Sequence, residues 1–150
     1  RYEIWTMQSA WHNLPTLDGV QQLPGAEYAA REVYPDKNSI TGELAGAYPP
    51  IPGLGTYRRS VSVREQGITL RDETDHPGTV ELTLLTEQQP VPAADGFVVG
   101  TLGGIRFDPD AVTAAVAPVS ITDPRLRTAW PETIYKITLH FQKMLNLELY

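Results

Sequence analysis

Apolar residues in this chain recur at every second position over short stretches, and no long stretch keeps the three-to-four-residue spacing of an amphipathic helix. Alternation of that kind sends successive side chains to opposite faces of a strand. It therefore commits the chain to sheets with one dry and one wet face. The clearest case is a hairpin. Over 57–64, Val61 and Val63 alternate with Ser60, Ser62 and Arg64, and over 68–73, Ile68 and Leu70 alternate with Thr69 and Arg71. Glu65, Gln66 and Gly67 join the two runs.

The same reading predicts strands over 2–7, 16–17, 27–34, 39–48, 79–86, 97–101, 104–107, 111–117, 134–141 and 146–149. Turn chemistry separates them. Asp18-Gly19 suits positive φ, Pro35-Asp36 and Pro49-Pro50 stop strands, and 49–55 is a loop of prolines and glycines. Gly42 and Gly46 mark bulges or close backbone approach, Gly103-Gly104 reads as a hairpin turn, and Asp108-Pro109-Asp110 reads as another. Thr122-Asp123-Pro124 opens a short helical turn over 125–128. About ten short strands with this punctuation predict an all-β, antiparallel β-sandwich.

At 150 residues, with 41% hydrophobic and 20% charged, the chain is expected to fold as a single domain over 1–150. The net charge of -6 argues against nucleic acid and anionic lipid as partners. Arg58, Arg59 and Arg64 are the nearest thing to a basic cluster, and they read as solvated strand positions. There is no cysteine, so burial and not disulfides must supply stability. No run of about 18 apolar residues is present, which argues against a membrane span. The chain opens on Arg1 and enters at once on alternation, so the natural amino terminus is expected upstream and the compartment stays open.

The inventory for catalysis is thin. Of three histidines, His140 reads as a strand-face residue, and His76 lies in an exposed turn where Asp75 offers at best a second metal ligand. His12 sits in Ser9-Ala10-Trp11-His12-Asn13, where the chain turns sharply; a His-Asn pair there serves either turn closure or chemistry. Phosphate cradles, zinc-protease motifs and nucleophile elbows are missing, and 100–104 is glycine-rich without a following helix. Trp5, Trp11, Trp130 and Tyr48 are candidates for stacking on sugar rings, or else for the core.

Taken together, these residues resemble the heparinase II/III-like family of polysaccharide lyases. The resemblance rests on the Ser-x-x-His-Asn turn at 9–13, the short strand at Thr16-Leu17, Asp18-Gly19 with Gln21 and Gln22 behind it, and the run from Gly25 to Ala30. Downstream, 43–48 before a loop, 57–61 opening a strand, 67–72 closing a hairpin, and Arg125-Leu126 with Trp130 before 134–137 also match the family's pattern. The resemblance implies that the chain is the carboxy-terminal part of a larger supersandwich that follows an α-helical toroid. The full-length protein would then open uronic acids of an acidic polysaccharide by β-elimination, with its main catalytic residues upstream of Arg1 and none in this chain. In some members the His of this turn is the last ligand of a zinc ion whose other His and Asp ligands lie on earlier sandwich strands. That position matches His12, which without them should hold no metal tightly; no cofactor is expected in this chain alone.

The implied partners are the upstream toroid and the first sandwich strands of the same protein. Two other readings stand beside the lyase module: a stand-alone carbohydrate-binding module, and a structural domain that self-associates through exposed sheet edges.

Overall fold

The computed structural model describes residues 4–101 and 103–150. In chain order the strands are β1 (Pro15–Leu17), β2 (Arg31–Pro35), β3 (Ser39–Glu43), β4 (Tyr57–Arg64), β5 (Gly67–Thr74), β6 (Val80–Thr86), β7 (Pro90–Ala93), β8 (Gly96–Val99), β9 (Gly103–Arg106), β10 (Thr113–Ser120), β11 (Thr133–Phe141) and β12 (Met144–Leu149). They form a four-stranded sheet, β1-β6-β11-β10, and an eight-stranded sheet, β2-β3-β4-β5-β12-β9-β8-β7, and every pairing is antiparallel. The expected antiparallel sandwich is therefore the observed class, with twelve strands among the described residues.

Alternation explains the core. In the small sheet, Val80, Leu82 and Leu84 on β6 lie opposite Phe141, Leu139 and Ile137 on β11, and all six are buried. From the large sheet Tyr57, Leu145, Leu147, Ile105 and Phe97 meet them. Each large aliphatic or aromatic side chain taken out of water contributes about 1.5–3 kcal/mol, so the inner faces carry most of the stability. The β4–β5 hairpin turns on Glu65 and Gln66 alone, because Arg64 already pairs with Gly67. Gly67 has φ 137°, and a Cβ there would sit 2.0 Å from the Leu149 carbonyl oxygen.

Several boundaries differ from those expected. The strand over 2–7 does not form: Trp5–Met7 and Ser9–Trp11 are 3-10 turns, and 2–3 lie outside the described residues. Its Trp5 instead packs on tryptophans from outside the segment, edge-on to Trp11 at 4.6 Å and to Trp130 at 6.0 Å. Local aromatic packing has overridden strand propensity. The strand over 27–34 shrinks to Arg31–Pro35, and that over 39–48 ends at Glu43 before a 3-10 turn at Ala45–Ala47. Gly103 and Gly104 belong to β9, paired with Val99 and Val98, and are not the turn. Pro90–Ala93, unseen in the alternation because of its two prolines, is an edge strand, where missing donors cost little. The strand expected over 111–117 runs instead from Thr113 through Pro118 to Ser120, which β10's edge position permits. The helical turn, at Leu126–Thr128, is as expected, but 108–110 is not a hairpin turn: it carries the chain from β9 in the large sheet across to β10 in the small one, and the two strands do not pair.

The two sheets are unequal in width, and this matters for the site. The register puts Ile40 beside Val61 and Ile68 beside Val63, on the face that carries Leu70 toward the core, yet Ile40, Val63 and Ile68 stay exposed. The small sheet stops short of them. Its β1 edge is closed: Leu17 exchanges both backbone hydrogen bonds with Val20, Pro15 has no N–H, and the Pro15 carbonyl accepts the Tyr48 hydroxyl.

Candidate functional site

His12 follows the Ser9–Trp11 turn, whose last hydrogen bond runs from the His12 amide to the Ser9 carbonyl at 3.0 Å. The Leu14 amide then donates to the His12 carbonyl at 2.7 Å, and this tight bend turns the chain into β1. The imidazole is exposed, with Nε2 3.0 Å from the Thr6 carbonyl oxygen. A carbonyl only accepts, so Nε2–H donates, an arrangement that in the neutral ring leaves the lone pair on Nδ1.

The ring borders a cavity of about 400 Å³ between the two 3-10 turns and the strand-like run after β1. Met7, Leu14, Leu23 and Pro24 give it apolar walls, and Ser9, Gln21 and Gln22 give it polar ones. Gln21 Oε1 accepts from the Ser9 hydroxyl at 3.3 Å and the Ala10 amide at 3.0 Å, which ties the turn to the segment after β1. Gln22 Nε2 donates to the Tyr48 hydroxyl at 3.2 Å, and that hydroxyl donates to the Pro15 carbonyl. Burial pushes the Tyr48 phenol well above its ordinary range, so it stays a donor.

Behind the turn lies a buried charge network. Arg59 makes two parallel hydrogen bonds to Asp72, Nε to Oδ1 at 2.7 Å and Nη2 to Oδ2 at 2.6 Å. Its Nη1 donates to the Asn13 carbonyl at 2.6 Å. The Tyr57 hydroxyl donates to Asp72 Oδ2 at 2.6 Å, and both Tyr57 and Asp72 are wholly buried. Burial, and then the Asp72 charge, drive the Tyr57 phenol far upward. Burial opposes the Arg59 charge, but hydrogen bonding and attraction to Asp72 outweigh it and hold the guanidinium protonated. The reading of Arg59 as a solvated strand position is thus corrected, while Arg58 and Arg64 are exposed as expected.

Other candidates fall elsewhere. His76 is buried and not in an exposed turn, because its ring reaches back to β1's turn: Nε2 is 2.9 Å from Asp18 Oδ2, and Asp18 Oδ1 accepts the Thr79 amide at 2.9 Å. Asp75 points away from it, accepting the Gly55 and Thr56 amides at 2.8 and 2.9 Å, and no Asp75–His76 metal pair forms. His140 lies on β11 with Nε2 3.3 Å from Glu81. Tyr48 is core and not a sugar platform. Trp5, Trp11 and Trp130 form a half-buried cluster on the small sheet, with the Lys136 ammonium 4.7 Å from the Trp11 ring centre.

The donor set does not fit a zinc ion held by this chain alone. Among the described residues, none that lines the His12 cavity is a carboxylate, a thiolate or a second imidazole, and no group of three such ligands occurs. Three protein ligands are the usual minimum for zinc.

Comparison with known proteins gives a fold likeness. No family model and no curated protein matches this sequence. Among 14 matching chains of solved structures is a heparinase III gene product with methylated lysines. The two are 17% identical, with a TM-score of 0.64 over 97% of this chain. The chain spans about a quarter, 24%, of that protein's length, and its fold is similar to that part of a heparinase III.

Proposed function

We propose that this chain is the carboxy-terminal β-sandwich module of a heparinase II/III-like polysaccharide lyase, and that the whole protein opens uronic acid residues by β-elimination. The observation that carries the reading is the fold match along nearly all of this chain to a quarter of a heparinase III. The Ser-x-x-His-Asn turn at 9–13 supports it from the sequence.

Such an elimination needs a neutralised carboxylate, a base at the C5 proton and an acid at the leaving oxygen. Among the described residues, the His12 cavity places no acid beside the imidazole. Tyr48 and Tyr57, with phenols held protonated by burial, have their hydroxyls committed to the Pro15 carbonyl and to Asp72. The base and acid are therefore assigned to the part of the protein outside this chain. A zinc ion, if the whole protein binds one, would need most of its ligands from outside this chain. His12 would offer it Nδ1.

The unequal sheets support partners within the same protein. Val33, Ile40, Val63 and Ile68 are all exposed beyond the reach of the small sheet. Because β1's edge is closed, further strands would meet that apolar face and would not extend β1. A stand-alone carbohydrate-binding module has less behind it, since Tyr48 is buried and Trp5 packs edge-on against the other two tryptophans.

The test is absorbance of the unsaturated uronate with heparan sulfate, hyaluronan and alginate, run on this chain and on a longer protein that includes the upstream toroid. The longer protein should turn over at least one polymer and this chain none. Turnover by this chain, or inactivity of the longer protein on all three, would refute the reading.

A further inference from the structure

We infer that the buried network of Tyr57, Asp72 and Arg59 is a positioning device for the His12–Asn13 turn, and not a device that holds the sandwich together. Its functional meaning rests on the reading of His12 as a ligand-bearing position.

Asp72 is fully buried, and Arg59 is nearly so. Removing two charges from water costs about as much as their attraction returns, so apolar side chains of similar volume generally serve stability as well or better. Here every strong donor has a specific target. Two guanidinium nitrogens and the Tyr57 hydroxyl satisfy Asp72, and the third nitrogen extends to the Asn13 carbonyl, 46 residues away in sequence. One end of the network is a paired position within the β4–β5 hairpin, Arg59 opposite Asp72; the other is the main chain beside His12. β1 does not depend on this contact for its place, because its register with β6 already fixes it.

A second tether acts in the same direction. Tyr48 grips the Pro15 carbonyl and receives the Gln22 amide, so core side chains hold the carbonyls of residues 13 and 15 on either side of Leu14. The bend at Leu14 sets the direction of the His12 ring, whose Nε2–H must reach the Thr6 carbonyl to leave Nδ1 open. Arginine suits the task because its planar fork fixes three directions at once, which a lysine ammonium on a flexible stem does not.

The experiment compares two variants of this chain with the wild type. The triple variant Tyr57→Phe, Arg59→Met, Asp72→Leu removes the network without leaving a buried polar group alone; Arg59→Lys keeps the charge and loses the fork. Nitrogen NMR of the His12 ring reads the tautomer, hydrogen exchange of the Leu14 amide reads the bend, and thermal unfolding reads the fold. In either folded variant, His12 should pass from the Nε2–H form to a mixture of tautomers, and Leu14 exchange should quicken by about tenfold or more while β11 amides keep their protection. Arg59→Lys decides the matter if the triple variant does not fold. Wild-type His12 and Leu14 signals in a folded variant would overturn the inference, as would loss of folding in both. No readout passes through lyase activity, so failure of the lyase reading is seen separately.

Discussion

Two phenols inside one core make this chain's stability fall at alkaline pH by a calculable amount. Tyr48 and Tyr57 are buried, and their folded-state pKa values are raised, by desolvation first and, for Tyr57, by the Asp72 charge next. The unfolded chain ionises them near the ordinary value of 10.0. A group whose folded pKa is raised contributes its full stability below the unfolded pKa and loses it as pH climbs above that value. Each phenol then costs about 1.4 kcal/mol per pH unit, or roughly 2.8 kcal/mol per unit for the pair. Against a domain stability of about 5–15 kcal/mol, two to three units above the phenol value are enough to unfold a chain toward the lower end of that range. Urea unfolding at a series of pH values gives the slope, and phenolate absorbance shows when the two rings ionise. Other groups titrate in this range as well, so the phenol share is the difference between wild type and the variants Tyr48→Phe and Tyr57→Phe. Each substitution should flatten the slope by about 1.4 kcal/mol per unit. Tyr57→Phe should also lower stability at neutral pH by about 1.5–3 kcal/mol, the worth of a hydrogen bond to a charged group. An unchanged slope in both variants, or ionisation of both rings in the folded chain near the ordinary value, would refute the reasoning.

Four further outcomes follow from the geometry. Leu139→Ala, at a fully buried site opposite Leu82, should cost about 2–5 kcal/mol in chemical denaturation. Gly67→Ala should cost more than the roughly 1 kcal/mol of an ordinary glycine replacement, because its Cβ would collide with the Leu149 carbonyl; a loss within that range in thermal unfolding would contradict the close approach. Asp75 has its pKa lowered by the Thr56 and then the Gly55 amide, so its contribution is present above the ordinary carboxylate value and lost as pH falls through the folded one. Asp75→Asn should accordingly shrink the stability difference between neutral and acidic pH. Zinc titrated into this chain should give no site that His12→Ala abolishes with submicromolar affinity, as read by calorimetry, because one imidazole stands alone in its cavity.

The sandwich was legible in the sequence wherever a strand had one dry face. Val80, Leu82 and Leu84 announce β6, and Ile137, Leu139 and Phe141 announce β11, because period-two alternation and burial coincide there. It was illegible where packing or prolines interrupted that coincidence. Trp5 falls in a segment that alternates like a strand but packs its ring edge-on against Trp11, and Pro90–Ala93 hides a strand behind two missing donors. His76 was misplaced for a related reason: Pro77 and Gly78 signal a turn, but nothing local reveals that Asp18, 58 residues earlier, waits to receive the ring.

The buried ion pair was recoverable, and the step that recovers it is short. Once the hairpin turn is restricted to Glu65 and Gln66, Arg64 pairs with Gly67, and counting back in twos puts Val61 opposite Leu70 and Arg59 opposite Asp72. Alternation assigns Val61 and Leu70 to the dry face, and Arg59 and Asp72 lie two residues along on the same face. A charged pair of opposite sign in register on a dry face is a buried ion pair, because water does not reach it and no apolar partner would tolerate either charge alone. The three-residue turn expected over 65–67 leaves Arg64 facing Ile68 and shifts every partner by one, so that Arg59 falls opposite Glu73, whose side chain belongs to the wet face. One residue of turn length thus separated a solvated arginine from a guanidinium that reaches the His12 turn, and nothing in the strand composition registers the difference. The contact from Arg59 to Asn13 is beyond even the corrected register, since it joins the hairpin to a segment outside its own sheet and depends on how the two layers stack.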